Sequence, residues 1–373
     1  MQRQSRTELH YLYSNGVIFL LSELFENRKN SLNLLRMALA TGVLLWHSFA
    51  LQTTPLPNLP IALQYLLSGS VMVDGFFVIS GFLVFSSAQR SKSFVHFATN
   101  RVSRIFPGLF ICLCFTAFVL APIIASHESV KLAWFEAPFY VLANMFLFPM
   151  KWGISTLLAE NPVSRSWNGS LWSLQWEVLA YLIIWFVSRR MKISKPILIS
   201  FAILATVANF LIVAASLSVF SSNFIFDLLS TGSRLGLMFS VGALLCLFSH
   251  NIPLRIWLAL PSVALLYLSL ETKNYSWMAP IFWGYVLLYL GSRLKSPSFF
   301  VNNDFSFGLY IYAFPIQQFL IATGNASTNV WVFFCQALSI SGVLAVSSWF
   351  LVEKPALKKL RPKITSWLEA RQS

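Results

Sequence analysis

The sequence predicts an all-α membrane protein, a polytopic helical bundle of about ten transmembrane helices with both termini in the cytoplasm. Hydrophobic residues make up 57% of the 373 residues, and charged residues only 11%. A soluble domain carries about a quarter charged residues. The apolar runs are close to the roughly 20 residues that an α-helix needs to cross a bilayer, and longer than the roughly ten residues of a barrel strand.

Ten apolar segments are predicted to cross the membrane. Their limits follow the apolar runs along the chain, which are bounded by polar or charged residues. The predicted spans are residues 33–52, 69–88, 104–126, 171–188, 196–217, 227–249, 254–270, 276–292, 304–322 and 328–352.

The basic residues determine the predicted orientation, because Lys and Arg accumulate in the cytoplasmic loops of membrane proteins. With a cytoplasmic N-terminus, the external segments hold only Lys131, Lys151, Arg165 and Lys273. Both termini are therefore predicted to be cytoplasmic. The same bias accounts for the net charge of +14 without nucleic-acid binding, since no basic patch is interleaved with exposed aromatic residues.

The whole chain, residues 1–373, is predicted to form one integral membrane domain. Residues 1–32 form a cytoplasmic N-terminal segment, and residues 353–373 form a cytoplasmic basic tail that lies on the anionic inner leaflet. Residues 127–170 form a long external loop, a candidate lid or acceptor-binding element. Its apolar stretch, residues 137–150, is short for a span and predicts a re-entrant or interfacial helix.

Five Asp, Glu, Lys, Arg or His residues lie more than two residues from either end of a predicted span, where a charged side chain is costly unless it faces a partner or a cavity. They are Arg36, His47, Asp74, Glu177 and Arg234. His47 follows Arg36 by eleven residues, which is about 16 Å along a helix and close to three full turns, so the two share one face. Arg36 is thus predicted near the inner end of the first span and His47 toward its outer end.

A histidine and two carboxylates are predicted to share one layer toward the outer leaflet. Asp74 lies five residues and Glu177 six residues into their spans from the outer side, close to the depth of His47. Imidazole titrates near neutrality, and a neighbouring carboxylate can hold it in one tautomer. We therefore predict His47 as the reactive group, oriented by Asp74 or Glu177.

Three arginines are predicted to surround the inner entrance: Arg36, with Arg101 and Arg104 at the start of the third span. Guanidinium groups bind phosphates bidentately. The pattern therefore predicts that these arginines bind a phosphorylated donor from the cytoplasm.

Each of these residues also has a structural alternative. Arg36 can snorkel to the inner interface, and Asp74 can cap the second helix. Glu177 can pair with Arg234 in a link between helices. The two arginines of RVSR can be ordinary cytoplasmic charges.

Six motifs occur in an order and at spacings that resemble the acyltransferase 3 family of integral membrane acyltransferases over nearly the whole chain. They are the spacing of Arg36 and His47, VDGFFVISGFLVF at 73–85, RVSRIFP at 101–107, SLWSLQWEVLAY at 170–181, FGLYIYAFPI at 307–316 and WFLVEKPALK at 349–358.

The resemblance implies ten core spans and the transfer of an acyl group, usually acetyl from acetyl-CoA, to a sugar hydroxyl of an extracytoplasmic glycan. It implies that His47 is catalytic, that Arg36 is its paired basic residue and that Arg101 and Arg104 belong to the donor site. Glu177 matches the acid of the family's WSLxxE motif, whose role stays open. The chain departs from the family in the ninth span, where Ala313 stands in place of a frequent histidine.

These observations predict a membrane O-acyltransferase of the bacterial inner membrane. Acetyl-CoA is the predicted donor, and a cell-surface or lipid-linked polysaccharide such as an O-antigen or exopolysaccharide is the predicted acceptor; no metal is expected.

A transporter or flippase of a lipid-linked glycan is the alternative, although no internal repeat supports it. A membrane module that binds acyl-CoA or lipid without turnover is a third. Three residues near the outer mouth could stack on sugar rings, although interfacial tryptophans are common: Trp167, Trp172 and Trp176.

Overall fold

The computed structural model describes residues 20–22, 30–147, 150–189, 191–216 and 224–360. Most of the predicted N-terminal segment and the end of the predicted basic tail lie outside these residues. Within them the regular elements are helices, as predicted. In chain order they are α1 (Leu32–Leu51), α2 (Ile61–Leu66), α3 (Gly69–Arg90), α4 (Phe94–Phe115), α5 (Ala121–His127), α6 (Glu136–Met145), α7 (Trp172–Arg189), α8 (Met191–Ser216), α9 (Phe224–Leu247), α10 (Ile256–Glu271), α11 (Tyr275–Met278), α12 (Pro280–Arg293), α13 (Ser298–Asn302), α14 (Ser306–Ala322) and α15 (Val330–Ser348).

A helix stands at each of the ten predicted spans, but they differ in length. Within the described residues, seven helical stretches are long and apolar enough to cross a membrane. The other three, α10, α12 and α14, have 16, 14 and 17 residues. At about 1.5 Å per residue they are shorter than the roughly 30 Å hydrocarbon core. The protein is thus a multi-pass membrane protein, and the total of ten crossings and the orientation of the termini stay predictions.

The third span begins earlier than predicted. α4 starts at Phe94, where the Ser93 hydroxyl accepts a hydrogen bond from the His96 backbone N–H at 3.1 Å, and not at residue 104. A π-helical stretch, Thr116–Leu120, joins α4 to α5 in one continuous rod. The polar first turns of α4 hide its start from a search for apolar runs. Arg101 and Arg104 therefore lie two to three turns inside the helix.

The centre of the bundle is built from α3 and α14, which are buried along most of their length. α3 packs closely against α9 because glycines let the two backbones approach. A Cβ at Gly81 would lie 2.0 Å from the Phe239 carbonyl oxygen, and one at Gly242 would lie 2.1 Å from the Val78 carbonyl oxygen. The axial positions of the side chains on α3 and α9 are therefore fixed relative to each other.

The long external segment contains one helix, α6, and an irregular stretch that leads to α7. The ten residues of α6 pack one face on α4 through Tyr140, Val141 and Asn144. Its opposite face is apolar and exposed, with Phe139 and Leu142. A helix of about 15 Å is too short to span, so α6 has the length predicted for a re-entrant or interfacial helix.

Candidate active site

The three predicted site arginines share one region, in the half of the bundle predicted to be the inner one. Two small adjoining cavities lie there between α1, α3, α4, α7 and α14. Arg36, Ser80 and Glu177 line both, and Arg101 and Arg104 line the second. Arginines from two helices thus face one space, with a carboxylate from a third.

Asp304, which is not among the predicted site residues, is the buried counter-ion of this region. One of its carboxylate oxygens accepts hydrogen bonds from both Arg36 and Arg104. Its second oxygen accepts from the backbone N–H and the hydroxyl of Ser306, the first residue of α14. Two of the three arginines are therefore already paired.

Arg101 is held differently. One of its guanidinium nitrogens donates to the Ser87 hydroxyl at 3.1 Å, and the group lies 5.8 Å from the ring centre of Phe97 and 5.6 Å from that of Tyr181. In the part of the chain that the structure describes, Arg101 forms no ion pair, and its buried Nε has no hydrogen-bond partner. It is the arginine whose donors are most available to an incoming anion.

A second buried acid, Glu353, lies at the far side of the same cluster and was also missed. It follows α15 in a π-helical stretch, Trp349–Glu353, and accepts a hydrogen bond from the Ser348 hydroxyl at 3.0 Å. The Arg104 guanidinium lies 5.4 Å from the ring centre of Trp349. Asp304 is the first residue of one predicted span, and Glu353 directly follows the last residue of another. Both therefore lie at the edge of an apolar run, outside the interior positions in which ionisable residues were sought.

Glu177 lies with the arginines and not with His47, contrary to the prediction of a shared layer. Its carboxylate accepts hydrogen bonds from Ser80 at 3.2 Å and from Tyr181. Ser80 is eleven residues into α3 from its outer end, about 16 Å inward. Glu177 therefore reaches the depth of Arg36.

Asp74 also forms no hydrogen bond with His47 among the described residues. The structure pairs it with Arg234 of α9 at 2.9 Å, and its side chain is fully buried. Gly69 packs closely against Trp46, the neighbour of His47: a Cβ added at Gly69 would lie only 2.5 Å from the indole Cδ1. Asp74 is five residues further along α3, about 7 Å inward. Arg234 thus pairs with Asp74 and not with Glu177, contrary to the structural alternative for Glu177, and the orientation of His47 by Asp74 is not observed in this structure.

His47 lies in the outer half of α1, one continuous helix from Leu32 to Leu51. The predicted separation of about 16 Å from Arg36 along one helix face therefore holds. The imidazole meets the Phe314 ring edge-on, with ring centres 4.9 Å apart. Its Nδ1 is buried without a hydrogen-bond partner among the described residues.

The external segment is clamped onto the outer end of α14, next to this histidine. Gln318 donates to the Val163 and Ser166 carbonyls, each at 2.7 Å, and its own oxygen accepts from Asn161 at 2.8 Å. Asn168 donates to the Ile311 carbonyl at 2.8 Å. These contacts attach the candidate lid to α14. Trp167 within it is fully buried, so its ring has no exposed face for a sugar.

The side chains of the site also determine whether a metal ion could bind there. Within the residues that the structure describes, no group of three or more His, Cys, Asp or Glu side chains is placed to hold a metal ion. The polar groups of the site are instead arginines, carboxylates, hydroxyls and one imidazole, which suit phosphate binding and proton transfer.

Comparison with known proteins identifies the family. Residues 29–351 match the family described as an acyltransferase domain. An O-acetyl transferase of Shigella phage Sf6 is 28% identical over 359 residues, which cover 91% of this chain and 99% of the relative. Nodulation protein 10 of Rhizobium leguminosarum bv. viciae is 25% identical over 354 residues, which cover 88% of this chain and 94% of the relative. No solved structure shows a significant match. Because the family match covers most of its length, this chain belongs to the acyltransferase 3 family and is an acyltransferase.

Proposed function

We propose that the protein is a membrane O-acetyltransferase that uses cytoplasmic acetyl-CoA to acetylate a sugar hydroxyl of a cell-surface or lipid-linked polysaccharide, such as an O-antigen or exopolysaccharide. We place it in the bacterial inner (plasma) membrane. The observation that carries the proposal is the convergence of Arg36, Arg101 and Arg104 on one inner region, with His47 about 16 Å further out on the helix that bears Arg36. The similarity to an O-acetyl transferase over nearly its full length supports the acetyl group.

The inner cavities suit the donor. The phosphates of acetyl-CoA would meet Arg101 first, because Arg36 and Arg104 already share Asp304. Guanidinium groups bind phosphate through paired hydrogen bonds. Glu177 forms part of the cavity wall, where the hydrogen bond that it accepts from Ser80 joins α7 to α3, and the one that it accepts from Tyr181 lies within α7.

The reaction transfers the acetyl group from sulfur to oxygen. His47 either takes the proton of the sugar hydroxyl as that oxygen attacks the thioester carbon, or accepts the acetyl group first and passes it on. In both routes the C–S bond breaks, a C–O bond forms and CoA leaves as the thiol. The two routes stay open.

The direct test uses the purified full chain in liposomes, acetyl-CoA labelled in the acetyl group, and polysaccharide from a bacterial surface. We expect label to appear in alkali-labile ester on the glycan. Movement of glycan across the bilayer without label would favour the flippase, and binding of acetyl-CoA without turnover would favour a non-catalytic module. Either result would contradict the proposal.

Arg101 provides a test of the donor site. We expect Arg101→Ala to raise the apparent KM for acetyl-CoA by about 10- to 100-fold, because a hydrogen bond to a charged group is lost. Arg101→Lys should recover only part of this, since a lysine cannot form the paired bonds. Arg255→Ala, at the start of α10 and remote from the cavities, is the control and should leave this KM unchanged. An unaltered donor KM in Arg101→Ala would remove Arg101 from the site.

A further inference from the structure

Gln317 is a fully buried residue of α14 that has no role in the mechanism described so far. Its amide nitrogen donates two hydrogen bonds to α1, to the Leu44 carbonyl at 3.0 Å and to the Ser48 hydroxyl oxygen at 2.8 Å. The Ser48 hydroxyl proton is already donated to the Leu44 carbonyl at 3.0 Å. Both partners can therefore only accept from Gln317, which fixes the orientation of its amide.

This orientation leaves the side-chain oxygen of Gln317 with a specific deficit. Among the described residues, Gln317 Oε1 is buried and has no hydrogen-bond partner. Buried acceptors are normally paired, and an exception calls for an explanation. The side chain of Gln317 is thus held in place by its amide nitrogen, while its oxygen accepts no hydrogen bond.

The candidate donor for this oxygen is Nδ1 of His47, on the facing helix α1. Leu44 and Ser48, the two anchors of Gln317, flank His47 on α1, three residues before it and one after it. Phe314, three residues before Gln317 and on the same face of α14, contacts the His47 ring. His47 Nδ1 is likewise buried and unpartnered. Two complementary groups thus lie on facing surfaces of α1 and α14, and neither has another partner among the described residues.

The ionisable groups on the helices around α1 do not fill this role. Asp74 of α3 pairs with Arg234, and Tyr310 of α14 bonds to Ser173 at 2.7 Å. Cys335 of α15 is exposed.

The groups of α12 are directed elsewhere. Tyr285 donates to the Pro253 carbonyl at 2.7 Å, and Arg293 donates to the Leu254 carbonyl at 3.0 Å. The carboxylate carried by these packed helices is that of Asp74. Its Oδ2 pairs with Arg234, its Oδ1 has no partner among the described residues, and neither oxygen is hydrogen-bonded to the imidazole.

We propose that Gln317 is a positioning residue that accepts a hydrogen bond from His47 Nδ1–H in the reacting complex. The inference rests on the proposed role of His47. Hydrogen bonds of this kind are often long before substrate binds and tighten in the complex. The contact holds the proton on Nδ1 and leaves the lone pair of Nε2 free to take the hydroxyl proton or the acetyl group. A neutral amide thus takes the position that a carboxylate occupies in a catalytic triad.

The test measures the titration of His47 without using donor or acceptor. In the purified full chain, diethyl pyrocarbonate modifies neutral imidazole, and mass spectrometry of the His47 peptide follows modification as a function of pH. We expect Gln317→Glu to move the midpoint to higher pH by about one unit or more, because a carboxylate beside the ring favours the imidazolium. Gln317→Met should lower kcat by about 10- to 100-fold, with little change in the donor KM.

Gln318 is the matched control. It is equally buried and adjacent in sequence, but its amide is paired with the external segment. Gln318→Glu should leave the His47 midpoint unchanged, whatever it does to the rate. An unshifted midpoint in Gln317→Glu, or wild-type kcat in Gln317→Met, would overturn the proposal. If the proposed function is wrong, the wild-type protein will transfer no label, and the midpoints will still report the contact.

Discussion

His47→Ala is expected to lower acetyl transfer by about 100- to 10,000-fold, the contribution typical of a positioned group that moves a proton in the transition state. No other histidine of the described residues lies in the outer half of α1, and Ala313 removes the alternative in α14. The Nδ1 atom makes no hydrogen bond within the described fold, so the substitution removes chemistry and one ring contact with Phe314. The measurement is kcat with saturating acetyl-CoA.

Two further variants separate chemistry from folding. His47→Gln keeps much of the ring's volume and cannot act as a base, so it should be as inactive as His47→Ala while unfolding at the wild-type temperature. His250→Ala changes an exposed histidine at the end of α9 and should retain activity. Wild-type turnover in either His47 variant would rule out His47 as the reactive group.

Asp304→Ala is expected to lower the free energy of unfolding by about 3–5 kcal/mol, the cost of leaving buried charges without their partner. The carboxylate holds Arg36 of α1 and Arg104 of α4 at the inner end of α14. Without it, two guanidinium groups would repel each other in a confined space. Denaturation in detergent micelles, followed by size-exclusion chromatography, measures the loss.

The loss should be specific to this buried carboxylate. Asp227→Ala removes an exposed carboxylate of α9 and should change stability by less than about 0.5 kcal/mol. Equal stability of Asp304→Ala and wild type at neutral pH would contradict the ion-pair role.

The sequence predicts well what lies within one helix. The alignment of Arg36 and His47 follows from helical periodicity alone, and α1 is continuous between them. The helical class and the position of each apolar segment follow from hydropathy in the same way. These features depend on local chemistry, so a single sequence suffices.

The partners between helices could not be predicted in this way. Asp74 meets Arg234 because glycines such as Gly81 set the axial offset between α3 and α9. Glu177 meets Ser80 across the contact between α7 and α3. Counting residues from predicted helix ends assumes equal starting depths and straight helices. The long start of α4 and the interlocked α3 and α9 break that assumption.

α14 is one continuous helix that contacts both the arginine cluster and the external segment. Its inner end directly follows Asp304, which pairs with two arginines. Phe314 and Gln317 in its middle contact α1, and Gln318 at its outer end is hydrogen-bonded to the external segment. A phosphate of the proposed donor that competed with Asp304 for those arginines would act on the same helix that holds the external segment. Donor and acceptor affinities should then be linked, and thermodynamics requires that each ligand alter the affinity of the other by the same factor.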